Sequence, residues 1–155
     1  MPTWMRWILM WAGVSILASF ALVALDTVLL QARAIPNEPG GLRGLGAALG
    51  YNLVWFMKAL ILFVAIALLV AFGVAETIAR FLPVRLRTLA LAFAGLLALP
   101  VLFWAMKQAF FGVDILAGAR TWVGYAVQAV VTGAGSGALF GWLTRRKRRS
   151  RYAVG

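Results

Sequence analysis

Residues 121–144 read TWVGYAVQAVVTGAGSGALFGWLT, and Arg145-Arg146-Lys147-Arg148-Arg149-Ser150-Arg151 follows at once. The first run carries no charged side chain. As a helix rising about 1.5 Å per residue it is long enough to cross a hydrocarbon core of about 30 Å. The second run cannot enter hydrocarbon and marks a cytoplasmic end. Inside the first run Gly133, Gly137 and Gly141 recur at steps of four, with Gly135 and Ser136 between them. At 3.6 residues per turn they draw one bare stripe along a helix. In lipid a bare stripe lets a second helix backbone approach, so that dispersion contacts replace the hydrophobic drive that is missing there. The stripe is expected to pack either inside a bundle or against a neighbouring chain.

Working outward, the whole composition agrees with a bilayer solvent. The chain has 155 residues, 64% of them hydrophobic, and a mean hydropathy of +0.94. Soluble domains are about 45–50% apolar. The formal charge is +11, from 15 Lys and Arg against 4 Asp and Glu. In a soluble protein that balance would suggest nucleic acid. Here Arg145, Arg146, Lys147, Arg148, Arg149 and Arg151 cluster behind the last span, which points to topology and to anionic lipid or partner contact instead.

Cysteine and histidine are absent. Disulfides, thiolate chemistry, His-ligated metals and His general bases are therefore excluded. No Ser/His/Asp or Cys/His set exists. The GAGSG at 133–137 lies in an apolar span without the lysine of a phosphate loop. The expectation is a non-enzymatic protein with no cofactor and no metal.

Three further apolar runs cover about 7–31, 50–77 and 86–110, which with 121–144 makes four spans and a basic tail at 145–155. The run from Trp7 is too long for the apolar region of a signal peptide, about 7–15 residues. Residues 32–49 hold Pro36, Pro39 and several glycines, and read as a loop. A second loop at about 78–87 carries Arg80, Arg85 and Arg87. A third, at about 111–119, holds Asp114. Positive charge thus collects at the chain start, the second loop and the tail. This predicts an all-α integral membrane protein, one transmembrane domain of four helices with both termini cytoplasmic, in a bacterial inner membrane.

Ionisable groups within spans are costly, so each is a functional candidate. Asp26 lies about 9 Å below the outer end of the first span, and Lys58 about 12 Å below the same end of the second. Because these helices form an antiparallel hairpin, Asp26 and Lys58 are expected to face each other or share a wet cavity. Asn52, Lys107, Gln108, Arg120 and Gln128 fall in the same outer half and are expected to line an outward vestibule with them. Glu76 is placed to pair with Arg80 at i, i+4. Ala90, Ala94 and Ala98 form a second small-residue stripe, and Pro100 a potential hinge. Trp4, Trp7 and Trp11 share one face and read as an interfacial anchor.

In size and four-span plan the chain resembles small multidrug-resistance exporters and small fluoride channels, which work as dimers. The exporters use a glutamate deep in their first span, whereas Asp26 lies near the outer end. The expected function is an accessory, assembly or scaffolding subunit of a larger membrane complex. The rival is a small homodimeric transporter or channel using Asp26 and Lys58. A third reading is a lipid-handling protein, with membrane lipid held at the basic tail.

Overall fold

A computed structural model describes residues 2–34, 41–109, 116 and 120–152. Among them every regular element is helical. Helix α1 spans Thr3–Ala34, α2 Gly41–Ala79, α3 Val84–Ala109 and α4 Trp122–Gln128. A π-helical turn, Ala129–Ala134, then leads without a break into α5, Gly135–Tyr152. Four stretches are long and apolar enough to cross a membrane: Trp4–Leu30, Gly44–Ala79, Leu86–Ala109 and Trp122–Thr144. Helices suit that solvent because each backbone N–H and C=O is satisfied within its own segment.

The helices form a ring. α1 packs on α2, α2 on α3, α3 on the last helix, and the last helix back on α1. Phe140 is fully buried between the start of α1 and the end of α2. Its ring stacks on Phe72 at 4.7 Å and meets the edge of Trp7 at 5.4 Å. Val14, Leu22, Leu60, Val64, Leu68, Leu91 and Leu99 continue the same buried apolar core along the bundle.

The distribution of polarity is the reverse of a soluble bundle. Leu17, Phe20, Leu62, Ile66, Val70, Phe93 and Val101 point outward, while Ser15, Ser19, Thr27, Gln128, Thr132 and Ser136 are buried. Water would penalise such an exterior, whereas hydrocarbon accepts it. Most of the buried hydroxyls turn back on their own helix. Ser19 donates to Ser15 O at 2.8 Å, Thr27 to Val23 O at 2.8 Å and Ser136 to Gly133 O at 2.8 Å.

Several element boundaries differ from the sequence reading. α1 continues through residues 32–34, and α2 already begins at Gly41, so 41–49 is helix rather than loop. The breaking prolines, Pro36 and Pro39, both precede that point. A glycine alone costs a helix only about 1 kcal/mol relative to alanine. Residues 35–40, with Glu38, and residues 110–115, with Asp114, lie outside the described residues. The α2–α3 connection is shorter than expected. Phe81 N donates to Ile78 O at 3.2 Å and Leu82 N to Ala79 O at 3.3 Å, and the carbonyl of Pro83 accepts the first bond of α3 from Arg87 N at 3.1 Å. α3 runs unbroken through Pro100. α5 carries the basic run as helix to Tyr152, although the side chains from 145 onward are outside the described set.

Candidate functional site

The last helix reaches both of its neighbours by different means. Against α3 it uses backbone. A Cβ built on Gly133 would lie 2.5 Å from Gly95 O, and one on Gly137 would lie 2.8 Å from Ala92 Cα. A Cβ on Gly141 would lie 3.1 Å from the Thr88 methyl. The glycine stripe therefore lies inside the bundle, on the Thr88, Leu91, Ala92 and Gly95 face of α3. The expected alanine stripe is not the surface that receives it. Ala98 is buried in the core, Ala94 is half-buried, and Ala90 lines an open apolar groove with Leu86, Leu89 and Phe93. Alanines at steps of four still drift round the helix, and Gly95 alone provides the bare backbone that Gly133 needs.

Against α1 the last helix uses a side chain. Gln128, fully buried, donates from Nε2 to Asp26 Oδ1 at 3.0 Å. Next to it, Asn52 Nδ2 of α2 donates to Thr27 Oγ1 at 3.1 Å, and the Thr27 hydroxyl donates in turn to Val23 O. Two helices thus converge on two consecutive residues of α1. Asp26, Thr27 and Asn52 line a cavity of about 120 Å³ with Val23, Leu30, Phe56 and Leu116. A space of that size holds a few waters or a small ion. Its polar lining is the Asp26 carboxylate, an acceptor when ionised, with the Thr27 hydroxyl and the Asn52 amide, each able to donate and accept. Gln128 Oε1 is a buried acceptor without a hydrogen bond in this structure, and the hydroxyls of Thr132 and Ser15 are in the same position. Gln128 immediately precedes the π turn and Thr132 lies within it, while Ser15 belongs to α1. Turns of this kind are rare and recur at functional sites.

The expected facing of Asp26 and Lys58 is not found. Lys58 is exposed, and its ammonium lies 5.4 Å from the centre of the Trp55 ring. The reason is rotational. Lys58 follows Asn52 by six residues, about 600° of helix, and so lies about 120° away from the face that meets α1. Phe56, only four residues beyond Asn52, stays on that face and lines the cavity. Equal depth along two helices does not put two side chains on facing sides.

The expected single vestibule is divided in two. Asn52 and Gln128 join the Asp26 cluster. Lys107 and Arg120 line a separate cleft of about 330 Å³ with Phe103, Trp104, Thr121, Trp122 and Tyr125. Gln108 is exposed and lines neither space.

Glu76 pairs with Arg87 rather than Arg80. Arg87 Nη2 reaches Oε1 at 2.7 Å and Oε2 at 2.9 Å, and Nε reaches Oε2 at 3.2 Å. The short turn brings the first helical turn of α3 beside the last of α2, and the planar guanidinium there can engage both carboxylate oxygens. Arg80 is exposed. The tryptophan anchor also divides. Trp4 is 65% exposed, but Trp7 packs on Phe140 and Trp11 Nε1 donates to Ala65 O at 3.2 Å.

Sequence reasoning passed over Thr27, Gly95 and the π turn. Thr27 had a signal, a hydroxyl next to an intramembrane acid. Gly95 had a weaker one, a lone glycine in the middle of a span. Nothing in AVVTGA distinguishes a π turn from ordinary helix. No protein-family model, curated protein or solved structure matches this chain.

Proposed function

We propose that this chain is a small, non-enzymatic, multi-pass protein of a bacterial inner membrane that binds a proton or a small monocation at Asp26 and moves it across the bilayer. The observation that carries this reading is the Asp26–Gln128 hydrogen bond beside a small cavity that Asp26 itself lines. A carboxylate within a span is expensive. A fully buried amide on the last helix holds one of its oxygens, and two further helices shape the space in front of it. Among the described residues no three His, Cys, Asp or Glu side chains gather. Among the described residues lining the cavity Asp26 is the one carboxylate, which suits one positive charge better than a multivalent metal.

Purified protein in sealed vesicles, driven by an imposed potential, tests this through proton and sodium uptake. Flux above that of empty vesicles, lost in Asp26→Asn while thermal stability is kept, supports it. Wild-type flux equal to the empty control, or an Asp26→Asn variant that transports normally, refutes it.

A second reading is an accessory or scaffolding subunit. It draws on α2, whose 36-residue apolar stretch is only 17% buried and spans about 54 Å at 1.5 Å per residue. That face leaves room for another protein. With the glycine stripe occupied by α3, this reading loses one of its grounds, and the transport reading takes precedence. The native mass after gentle extraction separates them: a hetero-complex favours the subunit, a homo-oligomer the transporter. In both readings the positive-inside pattern supports cytoplasmic termini.

A further inference from the structure

The cleft between the end of α3 and the start of α4 belongs to neither the Asp26 cluster nor the basic tail. It lies at the boundary of two spans, since one candidate span ends at Ala109 and the next begins at Trp122. Lys107, in the last turn of α3, and Arg120, just before α4, line it from two separate elements. Between them stand the Thr121 and Tyr125 hydroxyls and the rings of Phe103, Trp104 and Trp122. The Tyr125 ring contacts Phe103 at 5.5 Å and Trp122 at 6.3 Å, which makes the aromatic wall continuous. Trp104 and Trp122 are nevertheless 64% and 87% exposed, as interfacial tryptophans are.

We propose that this cleft binds a phosphate-type oxyanion, presented at the membrane surface. Its volume of about 330 Å³ falls within the range of small-ligand sites. A guanidinium engages two phosphate oxygens at once, and an ammonium adds a point charge. Hydroxyls complete the polar lining. The aromatic rings give a glycerol backbone and the first acyl carbons an apolar surface at headgroup depth. Anionic glycerophospholipid supplies both parts, while inorganic phosphate would use only the polar half.

The test is native mass spectrometry of the full chain, titrated with phosphatidylglycerol, with phosphatidylcholine, or with inorganic phosphate. Three proteins are compared: wild type, Lys107→Gln with Arg120→Gln, and a tail variant with Arg145, Arg146, Lys147, Arg148, Arg149 and Arg151 replaced by glutamine. The expected result is a phosphatidylglycerol adduct that weakens at least about tenfold in the cleft variant and persists in the tail variant. Restoring Arg120 alone should recover part of the binding. Competition by millimolar phosphate would assign the site to the anion itself, and resistance to it would assign the site to the whole lipid. An adduct lost only in the tail variant, or equal binding of phosphatidylcholine, overturns the proposal. Unchanged melting of the cleft variant separates lost binding from lost fold.

Discussion

Gln128 and Asp26, 102 positions apart in the chain, are joined by a 3.0 Å hydrogen bond inside the bundle. It fixes the rotation of the last helix about its own axis relative to α1. Asp26→Asn keeps the shape and a hydrogen-bonding oxygen, so its melting temperature should stay near that of wild type. Gln128→Leu removes the buried donor and leaves the carboxylate short of a partner, a loss of about 1–3 kcal/mol. Thermal unfolding in detergent checks both. Equal effects of the two substitutions would mean that the bond is not what holds the helices together.

Lys58→Leu should be tolerated, with unchanged stability, because the ammonium is exposed over Trp55 rather than near Asp26. The double variant Asp26→Asn with Lys58→Leu should behave as Asp26→Asn alone. A coupling energy above about 0.5 kcal/mol in that cycle would restore the facing pair.

Two glycines separated by one residue should respond oppositely to alanine. A Cβ at Gly137 would run into the Leu91 carbonyl and Ala92 Cα, whereas one at Gly135 meets nothing within 4 Å. Gly137→Ala should therefore force α3 outward and cost about 1–3 kcal/mol. Gly135→Ala should be neutral or slightly stabilising, by up to about 1 kcal/mol through helix propensity. Denaturant titration of the two variants reads the difference directly.

At the α2–α3 turn, Arg87→Gln should destabilise by about 1–3 kcal/mol, since the Glu76 carboxylate would lose a two-oxygen partner at a partly buried site. Arg80→Gln, on an exposed side chain, should change stability by less than about 0.5 kcal/mol. Matching losses for the two arginines would contradict the observed pairing.

Trp11→Phe removes a donor to Ala65 O while keeping most of the ring, and should cost about 0.5–1.5 kcal/mol. Trp4→Phe, at a mostly exposed ring, should leave the unfolding midpoint where it is. Tryptophan fluorescence during unfolding follows both.

The membrane class and the four spans were legible in the amino-acid order because they depend on run length and hydropathy alone. A stretch such as 121–144 has one stable state in lipid, a helix, since no water is present to satisfy its backbone. The importance of Asp26, Asn52, Gln128 and the three glycines could be marked from the same facts, as polar or bare positions in apolar runs. Their partners were not legible. Which side chain meets which depends on rotation about each helix axis, at about 100° per residue, and an error of one position turns a facing pair into a diverging one. The tertiary structure made those choices. It put Gln128 rather than Lys58 beside Asp26, Arg87 rather than Arg80 beside Glu76, and Gly95 under Gly133. It also placed a π turn between the polar and glycine faces of the last helix, where no local propensity announced it.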